Sequence, residues 1–132
     1  MGQGGLLIEI GEVFFCESVL HYPNGSPREF VNRISSVQVQ VYPYFFKCTV
    51  VVNLIHSEPL NHLLSIRMRK DDSYSALFES VPIPVHSDAP SKPNAELGLI
   101  SPLETDIPEP GDYIFEILLD RAVKHHEHLS FT

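Results

Sequence analysis

The sequence predicts an all-β fold, a two-sheet antiparallel sandwich of about seven to nine short strands. The 11 prolines leave no stretch in which apolar residues recur at helical spacing. The apolar runs are rich in β-branched and aromatic residues, which strands favour. Polar turns separate these runs at short intervals, as expected for two packed antiparallel sheets. The 132 residues fit one domain, with residues 1–10 as a flexible lead-in.

The first half of the chain carries the clearest strand patterns. A first strand is predicted over residues 12–20, followed by a turn at Asn24-Gly25, because both residues tolerate positive φ. Residues 36–41 alternate valine with polar residues, which predicts a half-buried strand. The strongest strand has five inward-facing residues, Phe46, Cys48, Val50, Val52 and Leu54.

The second half contains further strands separated by proline-rich segments. A strand is predicted over residues 76–85, and Pro82 and Pro84 place it at an edge or in a bulge because proline cannot donate to a ladder. The remaining elements are an inward face of Leu64, Ile66 and Met68, a short strand at Leu97 and Leu99, a loop over 101–112, a strand over 113–120 and a last strand over 128–132.

The charge of the chain argues against two classes of partner. The formal net charge is −8, from 17 acidic and 9 basic residues, and such a surface repels nucleic acid and anionic membranes. The densest basic group, at Arg67, Arg69 and Lys70, is followed at once by Asp71 and Asp72. No apolar run reaches the ~18 residues of a membrane-spanning helix, and no secretion signal is recognised. A cytoplasmic protein is therefore expected.

No motif of catalysis or cofactor binding occurs in the sequence. A phosphate-binding loop, a dinucleotide fingerprint and a nucleophile elbow are all missing, so no cofactor and no enzyme is expected. A catalytic triad can still assemble from distant residues. Cys16 and Cys48 both lie in apolar strands and favour reduced, buried thiols over a disulfide between strands.

One group of side chains could bind a metal ion. His125, His126 and His128 lie together around Glu127, and on a strand His126 and His128 would share one face. A third ligand at a recognised spacing is lacking. The alternative is a solvated turn before the last strand.

An aromatic group around Pro43 could bind a protein. The group consists of Tyr42, Tyr44 and Phe45. Their rings offer large apolar contact areas and the two tyrosines add a polar hydroxyl, a combination that is common at protein interfaces. The alternative is packing at one end of the sandwich. If the group binds a partner, alanine at Tyr42 and Tyr44 should weaken association without unfolding the protein.

The segment Gly111-Asp112-Tyr113 resembles the start of a late strand in immunoglobulin-like sandwiches, where a tyrosine enters the strand. In antibody domains a cysteine follows two residues later, whereas here Phe115 stands at that place and the chain has no Trp. The resemblance therefore implies a looser, immunoglobulin-like sandwich. If Tyr113 forms the tyrosine corner of such domains, its hydroxyl should bond to nearby backbone.

A second resemblance covers nearly the whole chain. The strand at residues 14–19, the Asn-Gly turn, Tyr42-Pro43-Tyr44 and the segment 107–120 resemble a family of small uncharacterised bacterial proteins, a domain of unknown function. The resemblance implies a β-sandwich and supplies no catalytic residues.

Two functions follow as alternatives from the sequence. The first is a non-enzymatic binding or assembly module of unknown specificity, acting on a protein partner or by self-association. The second is a β-sandwich that binds a small molecule or a metal ion, with hydrolytic activity as one form of it.

Overall fold

The computed structural model describes residues 8–132 and folds them into ten strands without a helix. The strands are β1 Ile8–His21, β2 Pro27–Ile34, β3 Ser36–Val37, β4 Tyr44–His56, β5 Leu60–Lys70, β6 Ala76–Glu79, β7 Ile83–Ser87, β8 Ala95–Ile107, β9 Gly111–Leu119 and β10 Ala122–Phe131. Accordingly, this part of the chain contains no helix of the length and apolarity that crossing a bilayer needs.

The strands form two sheets, which confirms the predicted all-β sandwich. The first sheet has the order β2-β1-β4-β8, and the second has the order β3-β10-β9-β5-β6, with β7 also paired to β5. Every pair is antiparallel except β3 with β10. The strand count exceeds the predicted range because residues 76–85 form two strands and because β2, over Pro27–Ile34, was not predicted as a strand of its own.

The core lies between the two sheets and follows strand alternation. The five inward residues predicted for β4 are all buried, as are Leu64, Ile66 and Met68 of β5. From the second sheet β9 contributes Phe115, whose ring centroid lies 4.9 Å from that of Phe15 on β1. Burial of apolar surface contributes about 25 cal/mol per Å², so this layer supplies most of the driving force for folding.

Tyr113 forms the corner that the immunoglobulin-like resemblance predicts. Its side chain is fully buried, and its hydroxyl donates to the carbonyl oxygen of Glu109 at 2.7 Å. Its ring meets the ring of Phe131 edge-on at a centroid distance of 5.4 Å. Burial raises the pKa of Tyr113, so the hydroxyl keeps its proton and remains a donor. The bond ties the start of β9 to the turn before it.

The predicted loop over residues 101–112 is wrong. β8 continues through this segment to Ile107, pairing residue by residue with β4. Pro102 is tolerated because β8 is an edge strand, where a missing N–H need not interrupt a ladder. Leu103, Thr105 and Ile107 are buried while Glu104 and Asp106 are exposed, an alternation that identifies a strand.

The predicted strand over residues 36–41 is also largely wrong. Only Ser36–Val37 is a strand, and Val41 is 74% exposed. The backbone stays beside β10 only as far as Val39, because Thr132 donates to the carbonyl of Val37 and Val39 donates to the carbonyl of Thr132. These bonds continue the parallel pairing of β3 with β10, and a bend over residues 40–43 ends it.

Two strand boundaries differ from the prediction. β1 begins at Ile8, where residues 8–10 pair with β4, so the expected flexibility is wrong for these residues, while 1–7 lie outside the described part. β10 begins at Ala122 rather than at residue 128. The histidine cluster therefore lies within a strand and not in a solvated turn.

Replacing Tyr113 by phenylalanine should lower the free energy of unfolding by about 0.5–1.5 kcal/mol, because the buried Glu109 carbonyl bond is lost while the ring packing stays. Urea unfolding measures the change. Tyr22→Phe is the matched control, since Tyr22 is exposed and its hydroxyl makes no bond within residues 8–132. Equal stability of Tyr113→Phe and the parent would contradict the corner.

Candidate functional site

Glu116 is a carboxylate buried on the outer face of the second sheet. It is 5% exposed, although the face it occupies points away from the core. Its neighbours on β9, Phe115 and Ile117, point into the core, so alternation directs Glu116 outward between Ile114 and Leu118. A buried charge needs compensating partners, and the adjacent strands supply them.

Four strands place charged side chains in one row across this face. Glu79 on β6 lies opposite Arg67 on β5, Arg67 lies opposite Glu116 on β9, and Glu116 lies opposite His126 on β10. The Arg67 Nε donates to Glu116 Oε1 at 2.7 Å. The other carboxylate oxygen, Oε2, lies 3.4 Å from His126 Nε2 and 3.7 Å from Arg69 Nε. The register of β9 thus sets the whole row.

The partners of Glu116 decide its charge. Burial by itself raises the pKa of this carboxyl, but the Arg67 hydrogen bond and the nearby charges of Arg67, Arg69 and His126 outweigh burial and lower it. Glu116 is therefore ionised at neutral pH, with one hydrogen bond from Arg67 and an ion pair with Arg69. A carboxylate whose pKa is lowered in this way is a poor general base, because it accepts a proton less readily.

A concavity of about 310 Å³ lies beside this row. Its lining residues come from β5, β9 and the segments around them, namely Ser65, Arg67, Glu79, Pro82, Leu118 and Arg121. It combines two cationic side chains with one acidic and one hydroxyl group on a partly apolar wall. We refer to it below as the guanidinium pocket.

The turn between β9 and β10 positions Arg121 at this pocket. Leu119 pairs with Ala122, so Asp120 and Arg121 form a two-residue hairpin loop, and both have positive φ, 50° and 71°. The Asp120 carboxylate accepts the Leu63 backbone N–H at 2.9 Å and contacts His62 Nδ1 at 2.5 Å. These bonds lower the pKa of Asp120 and anchor the turn to β5.

A bulge between β6 and β7 forms the opposite side of the pocket. Ser80 pairs with Ile66 through its backbone N–H, and its hydroxyl accepts the Ile66 N–H at 2.9 Å. The next paired residues are Leu64 on β5 and Ile83 on β7. One residue separates the paired positions on β5, whereas two separate them on the segment that contains Pro82, so this segment has one extra residue. This arrangement agrees with the edge or bulge that Pro82 and Pro84 predict.

The three predicted metal-ligand histidines do not converge. His125 Nε2 contacts Glu127 Oε1 at 2.8 Å, whereas His126 contacts Glu116 across the strand pair. His128 lies opposite Ile114 in the same outer register as His126. Within residues 8–132 no three His, Cys, Asp or Glu side chains are grouped to hold a metal ion.

The aromatic group at Pro43 is divided between the core and the surface. Tyr42 and Tyr44 are half-buried and pack against the core, and the Tyr42 hydroxyl donates to the Thr132 carbonyl at 3.3 Å. Phe45 alone is strongly exposed, at 55%. The two tyrosines pack at one end of the sandwich, and a binding role of the group stays a prediction.

Both cysteines are free and buried. Cys16 on β1 lies opposite Thr49, so the two share the outer face of the first sheet, while the adjacent Cys48 points into the core. The two sulfurs are therefore on opposite sides of the sheet, which prevents a disulfide. Burial raises the pKa of Cys48 to about 12, so its nucleophilic thiolate form is scarce at neutral pH.

Comparisons with known proteins found similarity in structure but none in sequence. No family model matches the sequence. No curated protein matches it. The chain is similar in structure to an immunoglobulin-like protein from Pseudomonas aeruginosa, with 9% sequence identity and a TM-score of 0.46, over 98% of this chain and 100% of that one. The assignment of an all-β sandwich rests on the two sheets described above.

Sequence reasoning missed Glu116 as a site residue. The signal was present, because Glu116 is the one charged residue between Tyr113 and Leu119 in a run that reads as a buried strand. Such a residue predicts a paired charge. The partners were visible only as the basic group at Arg67 and Arg69, whose pairing across strands the sequence does not specify.

The Glu116→Gln variant should be less stable than the parent at pH 7 by about 1–3 kcal/mol, because it removes the charged acceptor of Arg67 and the ion pair with Arg69. The pKa of Glu116 is lower in the folded protein than its ordinary value of 4.5, so the ionised carboxyl stabilises the fold above this pH. That contribution is lost as the pH falls further. The stability difference should therefore narrow below this pH in urea titrations. Glu104→Gln, at an exposed pair with Lys47, is the control. A pH-independent difference would contradict the ionised pair.

Neither thiol should react with a disulfide reagent at neutral pH while the protein is folded, because both are buried and on apolar strands. Both should react after unfolding in guanidinium. The absorbance of the released thiolate follows the reaction. Rapid reaction of either thiol in the native protein would contradict the assignment of two buried thiols. An intact mass lower by two hydrogens would indicate a disulfide and contradict the assignment of two free thiols.

Proposed function

We propose that this protein is a non-enzymatic binding module that takes a protein partner on the outer face of its second sheet. The proposal rests on one observation, the combination of exposed apolar and cationic side chains around the guanidinium pocket. Interfaces of this kind pair apolar contact area with arginine, the charged residue most enriched at protein interfaces. The chain is otherwise strongly acidic, so this face differs in character from its overall charge.

Three exposed apolar residues surround the pocket. Val81, in the bulge, is 82% exposed, and Leu63 and Val123 are exposed to a lesser degree. Val123 lies opposite Leu118 on β9, and Leu63 lies opposite Pro84 on β7. The three exposed apolar residues therefore lie on the outer face of the second sheet or at its edge. Exposed apolar groups that flank a polar pocket are typical of docking surfaces.

The state of Glu116 favours binding over catalysis. Its carboxylate is ionised and bonded to Arg67, so it serves to orient guanidinium groups rather than to accept a proton. Arginine held in this way loses less freedom when a partner binds, which lowers the entropic cost of association. The proposed role of the row is therefore to preorganise the cationic side of the face.

The test is affinity capture from cells of the source organism with three baits. The parent protein should enrich a partner, and the double variant Leu63→Lys with Val81→Lys should lose it, because both changes put charge where apolar contact is proposed. Val41→Lys is the matched control, since Val41 is exposed at a different part of the fold. Quantitative mass spectrometry compares the three samples.

Two outcomes would contradict this proposal. One is a partner that is lost equally with the double variant and with Val41→Lys, which would indicate a general charge effect. The other is seen with Phe45→Ala as a fourth bait: a partner retained by the double variant but lost with Phe45→Ala would move the binding surface to the aromatic group at Pro43. Native mass spectrometry of the same proteins distinguishes a foreign partner from a second copy of this chain.

A further inference from the structure

We infer that the guanidinium pocket binds a carboxylate, presented by an acidic segment of the partner protein. The inference rests on the proposed function and specifies the chemistry of that partner. It follows from the unused hydrogen-bond donors of two arginines, from the local sign of the charge and from the apolar surroundings of the pocket.

The two arginines that line the pocket have free donors. Arg67 uses Nε for Glu116, and its terminal nitrogens make no hydrogen bond within residues 8–132. Arg121 takes part in none of the ion pairs found in the same described residues. A guanidinium edge with two parallel N–H groups matches the two oxygens of a carboxylate.

The charge around the pocket is locally positive. Arg67 and Arg121 line the pocket together with one carboxylate, that of Glu79, which leaves an excess of one positive charge among its three charged lining residues. The net charge of the whole chain is −8, but salt screens charges beyond about 8 Å at physiological ionic strength. The nearest groups therefore decide which ion the pocket attracts.

The surroundings favour a peptide carboxylate over a free phosphate. Leu118 and Pro82 supply apolar surface inside the pocket, and Val81 lies exposed next to Pro82. An acidic side chain flanked by apolar residues complements this arrangement.

The experiment is an NMR titration of the isotopically labelled protein with a blocked peptide rich in glutamate and leucine. Saturable shifts are expected at the backbone amides of Ser65, Leu118 and Arg121. The same peptide with every glutamate replaced by glutamine should cause none of them. Arg121→Gln should weaken binding about tenfold, because it removes one charge-assisted pair. This substitution replaces one side chain by another at the same positive φ, so the backbone conformation of the turn is preserved.

Arg28→Gln is the matched control, because Arg28 is an exposed arginine on β2 of the other sheet. Binding weakened equally by Arg28→Gln and Arg121→Gln would overturn the inference, as would equal binding of the glutamine peptide. Inorganic phosphate that saturates the same amides more tightly than the peptide would overturn it in favour of a phosphate site. If the peptide does not bind while affinity capture still depends on Leu63 and Val81, the carboxylate inference is wrong and the proposed partner face is unaffected. If the peptide binds at Arg121 but affinity capture does not depend on Leu63 and Val81, the proposed partner face is wrong instead.

Discussion

The alternation of side chains along β9 is the constraint on which the rest of this structure depends. β9 lies between β10 and β5 in the second sheet, and its inward residues Tyr113, Phe115 and Ile117 are fully buried. A slip of one residue would exchange this set with Ile114, Glu116 and Leu118 and bring a carboxylate into the apolar core. Burying an unpaired charge costs free energy, so the slipped register is disfavoured and the observed register is preferred.

The same register creates the candidate site. Glu116 points outward, and the observed register of β9 with β5 and β10 places Arg67 and His126 opposite it. A buried ion pair need not add net stability, since the desolvation of both ions offsets their attraction. Its effect here is geometric, because the pair orients Arg67 at the rim of a pocket that the turn of Arg121 completes.

The sequence predicted strands well where inward and outward residues alternate without interruption. The inward faces of β4 and β5 and the Tyr113 corner are confirmed, because hydrophobic burial and the hydroxyl bond depend on local patterns. The part of β8 after residue 100 was missed because Pro102 is typical of a loop when the position of the strand in the sheet is unknown. The predicted strand over residues 36–41 was too long, since the parallel pairing with β10 extends only to Val39 and the chain then bends.

By itself, the sequence determined the fold class, the direction of most inward faces and the acidic character of the protein, because composition and strand periodicity are local properties. Only the tertiary structure decided which charges meet. Glu79, Arg67, Glu116 and His126 come from four strands, and their alignment depends on strand order and register, which are set by packing across the whole sandwich. The inward face of Cys48 was predicted from alternation, whereas the outer face of Cys16 was decided by the pairing of β1 with β4.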